Sequence, residues 1–131
     1  MRNNFYICSF CLLLITGYRL PIISFAQQNK IDSLLTLLKK DKEDTNKVNH
    51  LTSLSFDLHL INPDSAILLA QEALTIAKKI NFKKGEAAAC DNTGTGYWAK
   101  GDYTKALDYA FKALKIDEAL QNKAGIAKRC A

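Results

Sequence analysis

Proline and glycine are scarce, two and six in 131 residues, which excludes collagen-like and low-complexity chains. Histidine is as scarce: His50 and His59 stand nine apart, a spacing that does not bring both to one helix face at ligand distance, so no metal centre is expected. Carboxylates are scattered, and no pair of them with a nearby His or Ser suggests acid-base or nucleophilic work. Acid-base and nucleophilic catalysis therefore find no constellation, and neither an enzyme nor a cofactor is expected of this chain. Gly94-Thr95-Gly96 lacks the Lys-Ser/Thr pair of a phosphate-binding loop and falls inside a helical stretch. The charge excess is mild, +5 overall and smaller once Arg2 and Arg19 are set aside with the leader, too little to imply a nucleic-acid partner. What is present is a globular balance, 48% hydrophobic and 24% charged, with room for one domain and too apolar for a disordered tail.

Residues 1–26 have the three regions of a secretory signal peptide: the basic start Met1-Arg2-Asn3-Asn4, the apolar run Phe5 to Ile15, and a segment ending Ser24-Phe25-Ala26. Small residues at Ser24 and Ala26 place the cut after Ala26, which predicts export to the periplasm. The competing reading is an uncleaved anchor, but Arg19 interrupts the run short of the ~20 apolar residues a bilayer span needs. Cys8 and Cys11 fall in this leader, leaving Cys90 and Cys130 as the mature cysteines.

The remaining chain repeats itself. Ala66/Ala106, Ala70/Ala110, Ala73/Ala113, Leu74/Leu114, Ile76/Ile116, Gly85/Gly125, Ala87/Ala127 and Cys90/Cys130 all coincide at an offset of forty residues. A period between about 20 and 50 marks stacked supersecondary units, none of which buries its apolar face alone. Each period holds two helices. In the first, Thr45 to Leu60 is followed by Asn62-Pro63-Asp64, an N-cap, a proline at the first helical position and an early acid, opening a helix to about Ile80. In the second, Gly85 to Lys100 stops at Gly101-Asp102, and Tyr103 to Leu120 comes next with apolar residues at helical spacing. Residues 27–44 read as a linker and a lead-in helix, Ile31 to Lys40. Residues 45–84 and 85–124 are thus two units, with a truncated third at 125–131.

Gly94-x-x-Tyr97-x-x-x-Gly101-Asp102-Tyr103-x-x-Ala106, continued by Ala113-Leu114, resembles the tetratricopeptide repeat. The forty-residue length is similar to the longer variant found at the amino terminus of exported bacterial sensor proteins, tetratricopeptide histidine kinases among them. The first unit departs from the signature at Leu54 and Asp57, and the second at Ala110 and Glu118. The resemblance implies an all-α, right-handed α-solenoid of antiparallel helix pairs, with Gly94, Tyr97, Ala106 and Ala113 as packing positions. It implies a protein or peptide partner held in a concave groove, met by Asp91, Asn92, Thr95 and Trp98. Asn92 would exchange hydrogen bonds with a peptide backbone; Trp98 is either an aromatic anchor or a rim residue beside the next repeat. It also implies that the chain is the sensing front of a longer, membrane-anchored protein, or the input region of a sensor kinase whose catalytic half lies beyond residue 131.

Cys90 and Cys130 occupy equivalent positions on helices expected ~8–10 Å apart, whereas bridged cysteines need Cα atoms within about 7 Å. Two small buried hydrophobes are therefore expected in preference to a disulfide. About three repeats make a stable array, so the outer face of the last full helix is expected to drive self-association through Leu107, Phe111 and Leu114. Sedimentation should find oligomers that the Leu107→Ser/Phe111→Ser variant lacks; a wild-type monomer with a sharp, high melting transition would contradict this.

Overall fold

The computed structural model describes residues 25–130, which form six helices and, among the described residues, no strand. They are α1 (Phe25–Leu38), α2 (Thr45–Leu58), α3 (Pro63–Lys79), α4 (Lys83–Ala99), α5 (Tyr103–Ala119) and α6 (Lys123–Cys130). Residues 1–24 of the expected leader lie outside the described residues, and the expected cut after Ala26 falls in the first turn of α1.

Side-chain caps set most of the helix starts. Asp44 accepts from the backbone N–H groups of Asn46 and Lys47 at 2.9 and 3.1 Å. Asn62 accepts from Ser65 N–H at 3.1 Å, ahead of Pro63 in the first turn of α3. Asp102 accepts from Lys105 N–H at 3.2 Å. Each bond satisfies a backbone donor that a helix N-terminus leaves without a partner. The Asp102 carboxyl is held below the ordinary carboxylate range, first by the Lys105 side chain and then by that backbone N–H. Its contribution to the cap is therefore present at neutral pH and lost as pH falls through the lowered value.

The ends of α3, α4 and α5 repeat a single geometry. Asn81 after α3 and Gln121 after α5, forty apart, have φ of 57° and 52°, and Gly101 after α4 has 79°. The next N–H in each case reaches back one turn: Phe82 to Ala77 O at 2.8 Å, Asn122 to Asp117 O at 2.8 Å, Asp102 to Tyr97 O at 2.9 Å. This left-handed stop with its backward bond closes the last turn of these three helices.

α1 begins earlier than the lead-in expected at Ile31 and ends at Leu38. Its polar first turns are held to the end of α2: Gln27 donates to Asp57 O at 3.2 Å, and the Lys30 ammonium lies 2.9 Å from the Asp57 carboxylate. Ile31 and Leu34 then bury themselves against Leu54.

Each helix packs against its neighbours in the chain, and α2 also packs against α4. α3 and α5 do not meet, so α4 lies between them and makes contact with α2, α3 and α5. Small residues permit this. A Cβ on Gly85 would come within 2.8 Å of Val48 Cγ1 on α2, one on Gly96 within 2.6 Å of Ile67 Cγ1 on α3, and one on Gly94 within 3.0 Å of Ala106 O on α5. Gly96 has no place in the repeat signature, and its reason is this contact with Ile67. The main core joins Val48 and Leu51 of α2 to Ala73, Ile76 and Ala77 of α3 and Ala89 of α4. Ser55 bridges α2 to α3 by donating to Ala66 O at 2.7 Å, a buried bond.

Gly96→Ala should lower unfolding free energy by ~1–3 kcal/mol, since overpacking outweighs alanine's helix propensity. In an Ile67→Ala background, where Cγ1 is gone, the same change should be neutral or stabilising. Urea melts of the four proteins check the cycle; equal effects in both backgrounds would refute the contact.

Candidate functional site

Asp91, Thr95 and Trp98 recur at spacings of four and three on α4, which sets them on one face. With Tyr103 and Leu107 from α5 they line a recess of about 450 Å³ floored by Gly94 and Ala106. The close crossing of the two helices at Gly94 forms that floor. Trp98, Tyr103 and Leu107 are 59%, 62% and 59% exposed, an apolar rim open to solvent. The Thr95 hydroxyl donates to Asp91 O at 3.0 Å, the back-bond of a mid-helix threonine.

Asp91 also borders a second recess of about 400 Å³, together with Asn92, Thr52, Phe56 and Lys128. Its carboxylate pairs with the Lys128 ammonium of α6. Phe56 is 52% exposed. Asn92 is not the open donor that the sequence suggested. Only 8% of it is exposed, and its amide donates to Thr52 O at 2.6 Å, joining α4 to α2. The physical reason is burial: an amide at this helix contact must find a partner inside the protein.

Tyr97 and Ala113 stand away from these recesses. Tyr97 stacks on Tyr109 of α5, with ring centroids 5.7 Å apart and planes at 17°. Lys105 lies over the Tyr97 ring at 5.1 Å and Lys112 over Tyr109 at 4.6 Å, cation–π contacts on the outside of the α4–α5 pair. Ala113 is fully buried. The Lys112 ammonium has its pKa raised, chiefly by its hydrogen bond to Asp108.

The histidines are engaged locally. His50 Nδ1 lies 2.5 Å from Asp41 Oδ2, while His59 donates to Phe56 O and leans on the Phe56 ring at 5.1 Å. Among the described residues no group of three His, Cys, Asp or Glu is placed to hold a metal. Cys90 and Cys130 are thiols and not halves of a disulfide. Their expected shared burial is corrected: Cys90 is buried beneath its neighbours, whereas Cys130, in the last turn of the short α6, is exposed.

The exposed Phe56 was not singled out in the sequence. It falls outside the buried stripe Val48, Leu51, Leu54 and Ser55, and an aromatic off such a stripe was the available signal. Among the described residues no helix is long and apolar enough to cross a membrane. Neither protein-family models, nor curated proteins, nor solved structures gave a match to this chain.

Asn92→Ala should destabilise the chain by ~0.5–1.5 kcal/mol, because it removes the bond that ties α4 to α2 while the Thr52 carbonyl keeps its place in the α2 ladder. A urea midpoint unchanged from wild type would show that the Thr52 bond contributes nothing.

Proposed function

We propose that this chain is an exported, non-enzymatic protein-interaction module of the tetratricopeptide type, which holds a partner peptide across the two recesses that meet at Asp91 of α4. Three features support the repeat reading: the forty-residue coincidences, the equivalent left-handed stops at Asn81 and Gln121, and the packing of each helix on its neighbours with α2 on α4. On that reading the helix pairs stack as a right-handed solenoid, and the signal peptide delivers the chain to the periplasm.

The observation that carries the partner-binding role is the exposed Trp98 at the mouth of a recess floored by Gly94 and Ala106. Large exposed aromatics beside a concave surface are the groups that anchor interfaces. Phe56 supplies a second anchor in the adjoining recess, and Asp91 borders both. Asn92 then serves by holding α4 to α2, while Asp91, Thr95, Phe56 and Trp98 meet the peptide. In the wider setting the module is the sensing or partner-binding part of a longer receptor, a sensor histidine kinase being one form such a receptor takes. Self-association through Leu107, Phe111 and Leu114 belongs to the same reading, since the first two of these are exposed.

Peptides selected on the wild-type chain by phage display test the role. Trp98→Ala and Phe56→Ala should each weaken the selected peptides at least tenfold, the range of an interface anchor, with circular dichroism unchanged. Leu68→Ala, an exposed apolar residue on α3 outside both recesses, should leave affinity alone. Equal binding by all three variants would remove the assignment.

A further inference from the structure

A third recess lies on a different face of α4. Because α3 and α5 do not meet, they leave a trough between them with α4 as its floor. Its volume is about 620 Å³, within the ~300–1,000 Å³ range of sites that enclose small ligands. Glu86 and Cys90, one helical turn apart on α4, form the floor, and both are buried. Leu74 of α3, with Tyr109 and Ile116 of α5, makes apolar walls. This face is separate from the one carrying Asp91, Thr95 and Trp98, so a ligand held in the trough is independent of the peptide-binding role.

The rim has one sign of charge. Lys78, Lys83, Lys112 and Lys115 surround the trough, against the single carboxylate of Glu86. Lys83 lies 2.8 Å from Glu86 and neutralises it, so the floor adds no net negative charge. Lys112 is paired with Asp108 at 2.6 Å on the exposed surface, where solvent makes such a pair weak and exchangeable. Lys78 and Lys115 are exposed and, among the described residues, have no carboxylate within ion-pair distance. Lysine stems pave apolar surface while their ammonium groups stay at the water boundary. An apolar interior with ammonium groups at its mouth is the complement of an alkyl tail that ends in an anion.

We propose that the trough between α3 and α5 binds a single-chain anionic amphiphile of the fatty-acid type, its tail against Leu74, Tyr109 and Ile116 and its carboxylate between Lys78 and Lys115. The ligand-sized volume favours one such molecule over a partner helix or a bilayer, both of which need an extended surface. Transfer of each methylene from water to an apolar site is worth about fourfold in affinity, so tail length and head charge should both be read in binding.

The two mature cysteines supply the test. Cys90 lines the trough, and Cys130 is exposed on α6 away from it. In the full chain, thiol labelling and then peptide mass mapping read each cysteine separately. Dodecanoate below its micelle threshold should slow Cys90 labelling severalfold and leave Cys130 unchanged. Titration calorimetry should give one site per chain, with octanoate and dodecyltrimethylammonium each at least tenfold weaker than dodecanoate. Lys78→Glu/Lys115→Glu, two surface changes that leave the core intact, should weaken dodecanoate at least tenfold with an unaltered helical spectrum. The proposal is overturned if Cys90 is not protected, if the cationic amphiphile protects it equally, or if the double variant binds as wild type does. Protection that appears only with phosphatidylglycerol vesicles or with an acidic amphipathic peptide would likewise overturn it, in favour of a membrane or a protein at this face.

Discussion

The close approach of α4 to three other helices is the constraint on which the rest of this structure depends. Glycine in a helix interior costs about 1 kcal/mol relative to alanine, and α4 carries three: Gly85, Gly94 and Gly96. Each faces a different neighbour, α2, α5 and α3 in that order, and in each case a methyl group would meet an atom of that neighbour at 3.0 Å or less. The propensity lost is offset by contact over three faces of one helix. A helix surrounded in this way has no wide polar side, which is why α4 contains few large side chains of either kind. The two recesses bordered by Asp91 and the trough floored by Cys90 all have α4 in common. The central helix therefore positions every candidate surface, and a shift of its axis would alter all of them together.

Buried polar groups supplement this packing with direction. Ser55 bonds across to Ala66 O, and Asn92 bonds across to Thr52 O. Apolar contact alone tolerates sliding of one helix along another, whereas a buried donor left without its carbonyl is penalised by its full desolvation. The two bonds thus set the register of α2 against α3 and against α4. This explains how Asn92 can line a recess and still have its amide committed inside the protein: the residue shapes the surface by holding the helices that carry it. Trp98 and Phe56, beside these recesses, instead keep their rings largely in water.

The starts of α3 and α5 were legible because punctuation is local, whereas α4 begins at Lys83, two residues before the expected Gly85, with no side-chain cap to mark it. Asn62-Pro63-Asp64 and Gly101-Asp102 act through their own backbone bonds, so their meaning does not depend on what packs nearby. The apolar spacing along α5 was legible for the same reason. The start of α1 was not, because Gln27 and Lys30 are held by Asp57, a residue some thirty positions away that no local pattern reveals. The direction of Asn92 was likewise hidden, since an asparagine looks the same in sequence whether its partner is a ligand or the carbonyl of Thr52. Positions forty residues apart also proved unequal in burial. Cys90 is covered by its neighbours and Cys130 is not, although the two stand forty residues apart in matching contexts.

That inequality extends to the apolar face of α5. Ile67 on α3 and Leu107 on α5 are forty apart, and both project from the first turns of their helices. Ile67 is 7% exposed because Gly96 of α4 is seated on it; Leu107 is 59% exposed because, among the described residues, no helix takes the corresponding place. The same comparison holds for the helices as wholes: α3 is covered by α4 on one side and α2 on the other, whereas, among the described residues, the only helices against α5 are α4 and the short α6. The apolar surface of α5 is therefore not an irregularity of composition. At Leu107 it is the surface that α3 uses at Ile67 to build the core, left open among the described residues. Burial of a leucine-sized side chain is worth ~1.5–3 kcal/mol, which Ile67 gains against Gly96 and Leu107, in the matching place on α5, does not.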